Sequence, residues 1–134
     1  MIVSTRGRYA LRVMIDLAEN SNQERIPLKE IAERQGISQK YIESIMTLLS
    51  KNKFVDAVHG KGGGYKLNKK PQEYRVGDIL RLTEGTLAPV ACLEKNAPPC
   101  DRKKFCRTLP MWTKLDKLVE DYLDSVTLSD LTKS

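Results

Sequence analysis

The chain has 134 residues and a mass of 15.2 kDa, the size of one domain with at most one appended element, and 40% of it is hydrophobic. No stretch reaches the about 18 consecutive apolar residues of a membrane span, and the N-terminus has no signal-peptide core, so the expected location is the cytoplasm. The formal charge of +6 lies wholly in residues 1–70, with 13 Lys and Arg against 7 Asp and Glu, while residues 71–134 balance at 10 against 10; a single histidine, His59, leaves so little for hydrolytic chemistry that no enzyme is expected.

Thr5 to Glu19 puts Tyr9, Ala10, Val13, Met14, Leu17 and Ala18 on one helical face, and Asn20-Ser21-Asn22 ends the helix. Pro27 can open a second helix because the first turn does not need its missing N–H. Leu28, Ile31 and Ala32 face inward there, and Gly36 stops the helix where a left-handed residue is wanted. Ser38 is placed to cap a third helix, whose stripe of Ile42, Ile45, Met46 and Leu49 leaves Gln39, Lys40, Glu43, Ser44 and Thr47 outside. A short helix, a glycine turn and a helix with a hydrogen-bonding outer face make a helix-turn-helix, which sends the start of its second helix to base edges in the major groove. An ordinary helical pair with a solvated outer face would share the pattern.

Phe54 to Val58 reads as a strand, Gly60-Lys61-Gly62-Gly63-Gly64 as a turn, and Tyr65-Lys66-Leu67 as a returning strand. A basic, glycine-tipped hairpin directly after a recognition helix is the wing of a winged helix; its glycines let the backbone approach a phosphate or enter the minor groove. A nucleotide phosphate cradle is excluded, since such loops run from strand to helix. From Lys51 to Lys70 there are six lysines against one acid, Asp56, although a solvated lysine-rich loop would give the same count. The expected DNA-contacting residues are therefore Ser38, Gln39, Lys40, Tyr41, Glu43 and Ser44 on the recognition helix and His59, Gly60 and Lys61 in the wing. Lys51, Lys53 and Lys66 are expected on phosphates. A glutamate in such a face accepts from cytosine N4 and penalises other bases.

Beyond Pro71 a short helix is expected from Val76 to Thr83, burying Val76, Ile79 and Leu80 and closed by Gly85; Leu87 to Val90 reads as extended. The stretch from Cys92 to Cys106 lacks periodicity and contains Pro98 and Pro99, so it is a loop. From Pro110 a last helix carries Trp112, Leu115, Val119, Tyr122 and Val126 at spacings of 3, 4, 3 and 4, widened by Leu118 and Leu123. Two heptads do not make an independent coiled coil. The expected cover for these residues is the same helix of a second subunit, making them a dimer interface, with packing on the first helix of the same chain as the alternative.

Cys92, Cys100 and Cys106 share the loop, with seven and five residues between them. An odd number of cysteines argues against a disulfide framework, and zinc would usually show a C-x-x-C pair, which is absent. Thiolates suit soft metals and iron–sulfur clusters, which normally take four ligands. Lys95, Arg102, Lys103, Lys104 and Arg107 outweigh Glu94 and Asp101 and favour the thiolate form. The fold class expected is mainly α with a small β-hairpin wing. It comprises a winged helix-turn-helix with its following short helix over 1–85, a cysteine-bearing sensor loop over 86–107, and a dimerisation helix and tail over 108–134.

These residues resemble the family of winged-helix transcription regulators that includes IscR, NsrR and CymR. The resemblance runs over nearly the whole chain. It rests on Ser4-Thr5-Arg6-Gly7-Arg8-Tyr9-Ala10-Leu11-Arg12, Leu28-Lys29-Glu30-Ile31-Ala32 and Ile37-Ser38-Gln39-Lys40-Tyr41-Ile42-Glu43. The wing from Gly60 to Leu67 matches as well, as do Val76-Gly77-Asp78-Ile79, Glu84-Gly85 and Val126-Thr127-Leu128-Ser129-Asp130-Leu131. It implies a homodimer joined by the long helix, reading a palindromic operator in double-stranded DNA. The three cysteines fall where the IscR and NsrR branches carry cluster ligands, which implies an iron–sulfur cluster, 2Fe–2S favoured over 4Fe–4S, and a response to iron–sulfur supply, oxidant or nitric oxide. The fourth ligand departs from the pattern: the IscR-like histidine position is Leu109 here, and the NsrR-like carboxylate position lies near Arg8. Glu94, Asp101, a carboxylate across the dimer or an exogenous group stay open. The CymR branch lacks the cysteines, and a regulator without a cluster would respond by thiol oxidation or through a partner protein. A small iron–sulfur electron carrier would have no use for the basic wing.

Overall fold

In the computed structural model, which describes residues 3–133, the Ser4 side chain accepts from the Gly7 amide and opens helix α1, Thr5–Glu19. Its inward face is the expected one: Ala10, Val13, Met14 and Leu17 are fully buried. Helix α2, Leu28–Gln35, starts one residue after Pro27 and ends at Gly36, whose φ of 66° is the left-handed conformation that a side chain would strain. Ser38 caps α3, Gln39–Lys51, by accepting from the Tyr41 amide at 3.2 Å. Ile42, Ile45, Met46 and Leu49 of α3 reach the centre of the core.

One buried carboxylate fixes α2 against α1. Asp16, 3% exposed, accepts from Arg34 Nε at 3.0 Å, Arg34 Nη2 at 2.8 Å and Gln35 Nε2 at 2.9 Å. The two-pronged geometry holds the first helix of the helix-turn-helix in one orientation. Beside α3, strands β1, Val55–Val58, and β2, Gly64–Leu67, pair antiparallel with Val55 opposite Leu67 and Val58 opposite Gly64. Ile26 adds a short third rung, its N–H and C=O both bonded to Tyr65 at 2.8 and 2.9 Å. At the base of the hairpin the Tyr74 hydroxyl donates to the Phe54 carbonyl at 2.8 Å and accepts from the Asn68 amide at 3.1 Å.

Helix α4, Val76–Glu84, packs on α1, and the long helix α5, Leu109–Ser125, packs on α4. Between α4 and α5 the chain runs through irregular loop with one short 3-10 turn, Ala91–Leu93. The end of the chain, expected only as a tail, folds back on the first half. The Val76 amide donates to the Val126 carbonyl at 2.9 Å, the Leu128 amide to the Tyr74 carbonyl at 2.8 Å, and the fully buried Leu128 opens a last short helix, α6, Leu128–Leu131. A Thr127–Asp130 capping box closes this turn. Four residues carry too little periodicity to be found by pattern, so the sequence signal here was the capping pair alone.

α5 is held by charge as much as by apolar contact. Arg81 on α4 donates to Asp78 at 3.1 Å, to Asp124 at 2.8 Å and to Glu120. Gly77 makes the approach possible: a Cβ there would lie 2.1 Å from Asp124 Oδ1. The Arg81 guanidinium holds the Asp124 carboxyl below its ordinary pKa, and desolvation offsets this only partly. A depressed carboxyl pKa contributes stability above the unfolded value and loses it as pH falls through the folded value. Arg81→Met is therefore expected to cost about 1–2 kcal/mol at neutral pH in urea unfolding. The difference from the parent chain should close as pH falls below the ordinary carboxylate range; a gap of constant size would show that the clamp contributes through packing alone.

Candidate nucleic-acid interface and cysteine cavity

The outer face of α3 presents Gln39, Lys40, Glu43, Ser44 and Thr47 to solvent, and Ser38 is exposed at its cap. The Ser44 hydroxyl donates to the Tyr41 carbonyl at 2.7 Å, which leaves its lone pairs free to accept. Tyr41 is set apart from this group: its ring is half-buried, edge-on to Tyr9 with centroids 5.5 Å apart, and Arg12 lies over Tyr9 at 5.1 Å. That stack ties the start of α3 to α1.

The wing brings its expected residues beside the helix. Glu43 of α3 and His59 and Gly60 of the wing line one cleft of about 310 Å³. A second groove of about 610 Å³ is bordered by Lys51, Lys53, His59 and Lys66, with Asp56 as its acid. Lys61 is exposed at the tip. Tyr65 borders the first cleft, and burial, with the Glu43 charge added, pushes its phenol pKa up, so it stays a neutral donor and acceptor. Lys53 holds φ at 63°, a left-handed position that usually falls to glycine, while the Phe54 amide bonds to the Leu49 carbonyl at 2.9 Å to close α3.

The stripe expected on the last helix divides into two. Val119, Leu123 and Val126 pack on Val76, Leu80 and Leu87 within the chain, and Val126 has left the helix to cap it in an extended conformation. Leu115 and Tyr122 face outward with Met111 and Leu118, the last two 53% and 57% exposed. Trp112 is half-covered, on the same helical side as Val119 and Leu123 but nearer the helix start. The outward set recurs at 4, 3 and 4 residues, the spacing that helix-pairing seams use. Periodicity alone could not separate the two stripes, because on a helix this apolar they lie side by side. The α5 helix has no fully buried residue.

Cys92, Cys100 and Cys106 all line one cavity of about 490 Å³ at the start of α5, walled by Leu93, Ala97, Pro98, Pro99 and Leu109 with Lys103 and Thr113. Three soft donors on one cavity fit an iron–sulfur cluster in chemistry. The fit stops at three: among the described residues no carboxylate or imidazole lines the cavity, Glu94 and Asp101 included, and Leu109 occupies the place where the resemblance put a histidine. Nor do any three His, Cys, Asp or Glu side chains among the described residues stand close enough to chelate a metal ion. Cys106 has the most developed local chemistry. Its thiol lies 3.5 Å from the Thr108 hydroxyl, which lowers its pKa, helped by the Thr108 and Leu109 amides at the α5 N-terminus and by the Arg102 charge. In reduced, metal-free protein, Thr108→Val is expected to move the pH profile of Cys106 alkylation by iodoacetamide upward and to slow the reaction at pH 7, as read by peptide mass spectrometry. An unchanged profile would remove the hydroxyl as the cause.

Comparison with known proteins completes the site. Residues 3–134 match the family model described as Rrf2, iron-dependent transcriptional regulator. The chain is 37% identical over 133 residues to protein rrf2 of Nitratidesulfovibrio vulgaris, covering 99% of this chain and 88% of that one. It is 34% identical over 134 residues to the HTH-type transcriptional regulator IscR of Erwinia tasmaniensis, covering 100% of this chain and 80% of that one. Among solved structures, CymR, the global cysteine regulator of B. subtilis, superposes with a TM-score of 0.78 at 34% identity, over 98% and 95% of the two chains. T. potens IscR superposes with a TM-score of 0.76 at 37% identity, over 98% and 85%. Winged-helix architecture, exposed recognition face, basic wing and full-length family match agree: the chain belongs to the Rrf2 family and is a DNA-binding transcription regulator, not an enzyme.

Proposed function

We propose that the protein acts in the cytoplasm as a homodimer, reads a palindromic operator with α3 and the wing of each subunit, and senses iron–sulfur or redox status through the cysteine loop. The observation that carries the sensing half is that all three thiols open onto one cavity resting on the first turn of α5. The family description as iron-dependent supports it. Cys92, Cys100 and Cys106 would hold the cluster, with 2Fe–2S favoured over 4Fe–4S. When bound, the cluster supplies a centre that changes charge with oxidation state or is lost to oxidants and nitric oxide. The protein's own part is mechanical. Residues 86–107 link α4 directly to α5, so a change in the loop acts on the helix that bears the exposed seam of Met111, Leu115, Leu118 and Tyr122. Pairing that seam with its copy covers it and fixes the separation of the two α3 helices.

On DNA, Glu43, Gln39, Lys40 and Ser44 face the major groove from α3, with Ser38 at its cap and Tyr41 bracing its first turn. His59, Gly60 and Lys61 serve in the wing, while Lys51, Lys53 and Lys66 meet phosphates. Lys53 stands at a left-handed position beside Lys51 and Lys66 on the basic groove, which supports a role for its charge.

A second reading keeps the DNA binding and drops the cluster, so that the exposed Cys92 and Cys100 and the activated Cys106 respond by oxidation. The lowered pKa of Cys106 and the exposure of Cys92 and Cys100 are what favour weighing it. Purification without oxygen separates the two. Iron and acid-labile sulfide in stoichiometric amounts, with visible absorption, are expected, and Cys106→Ser should abolish all three; a colourless protein, even after reconstitution, would leave the thiol reading. Glu43→Ala should relax the base preference at one operator position by about 1–3 kcal/mol in a binding-site selection. An unchanged preference would remove Glu43 from base readout.

A further inference from the structure

The wing carries a cation that does not belong to the hairpin. Arg25 lies in the loop between α1 and α2, just before the Ile26 rung that bonds in both directions to Tyr65. From there its side chain reaches the glycine turn: Arg25 Nη2 lies 2.9 Å from where a Cβ on Gly62 would stand, with Cζ at 3.8 Å and Nε at 3.9 Å. Gly62 has a φ of 76°, a left-handed backbone position that disfavours a side chain, and the guanidinium tip lies over it. The tip itself is tied by the Gly63 amide to the Gly60 carbonyl at 3.0 Å.

This arginine is partly covered by the fold, and its polar end has little to bond to within the chain. Its side chain is 36% exposed, so nearly two thirds of it is covered by the fold. Its ion pair with Glu24 spans 3.8 Å to a side chain that is itself 87% exposed, a geometry that contributes little. Among the described residues it makes no hydrogen bond, although a guanidinium carries five donors in a fixed fork. Lysine at this place would be a point charge; a guanidinium presents paired donors in a planar fork that matches the oxygens of a phosphodiester. Lys61 at the same tip adds to the local positive field, which favours an anion such as a phosphate there.

We propose that Arg25 is a DNA-contacting residue, donating from beside the wing tip to a phosphodiester oxygen at the edge of the groove that the wing enters. The inference rests on the reading that the wing meets DNA. It makes the tip a two-cation site built from two separate segments, with Gly62 as the space that lets the second cation in. Contact with phosphate positions the wing and weakens equally on every sequence when lost.

The test measures the affinity of the full-length protein for a duplex recovered by binding-site selection, over a series of salt concentrations, by fluorescence anisotropy. Arg25→Gln, Arg25→Lys and Lys61→Ala are compared with the parent after thermal melting has shown each to be folded. Arg25→Gln is expected to reduce the slope of log K against log salt by about 0.9, the loss of one phosphate. It should weaken binding by the same factor on duplexes of altered sequence, and Arg25→Lys should restore most of the slope. A brace that only shapes the wing would lower affinity without moving the slope. If Lys61→Ala reduces the slope and Arg25→Gln does not, the wing reading stands and this inference falls. An intact slope with a changed preference at one base position would overturn it too, in favour of a base contact. If neither variant moves the slope, the wing does not meet DNA, and both readings fall together.

Discussion

The orientation of α5 on α4 is the constraint on which the rest of the molecule depends. A helix of 17 residues with no fully buried side chain gains too little from apolar contact to fix its own angle, because hydrophobic attraction has no direction. Val119, Leu123 and Val126 supply the contact, while Arg81, reaching Asp78, Glu120 and Asp124, supplies the register. Gly77 leaves the space for Asp124, and Val126 then hands the chain back to Val76. Once α5 is fixed this way its outward apolar stripe points in one direction relative to α3.

A second set of polar contacts ties the start of the chain to the same region. The Ser4 amide and hydroxyl both donate to Glu84 at 3.1 and 2.7 Å, and Gly7 leaves room for that carboxylate, since a Cβ there would stand 2.2 Å from Glu84 Oε1. Ser4, Gly7, Gly77 and Glu84 therefore recur in the resemblance for a physical reason: each makes a joint between α1, α4 and α5 that a larger or apolar residue would open. The start of the recognition helix is tied to α1 by the Tyr9–Tyr41 edge contact, and Asp16 and Arg34 hold the preceding α2 on the same α1.

Much of this was legible in the sequence. The helical stripes of α1 and α3, the Ser38 cap, the Gly36 stop and the glycine-tipped wing each carry a local signal that the fold only has to confirm, and they emerge within a residue of expectation. What was hidden depends on pairing across the chain. Nothing local says that Val119 and Leu123 face inward while Met111 and Leu118 face out, since all four lie on one broadly apolar helix and only the position of Arg81 separates them. Leu128 was hidden because its helix is a single turn. Arg25 was hidden because its partner segment, the wing, is far along the chain and is joined to it only through the Ile26 rung. The cysteines were visible as a cluster, yet their common cavity and the absence of a fourth donor in its lining are properties of the folded loop.

The protein thus joins a DNA-reading body to a thiol-lined cavity through one clamped helix, and the functional claim is that what occupies the cavity changes what the body binds. The direct measurement is the affinity of iron-loaded protein for its selected operator under anaerobic conditions, repeated on the same sample after the iron has been removed by a chelator. The expected result is a change of at least about tenfold, the differential of about 1.4 kcal/mol that a modest allosteric coupling supplies. Equal affinities in the two states would contradict the coupling and leave a DNA-binding protein whose cysteine loop serves some other end.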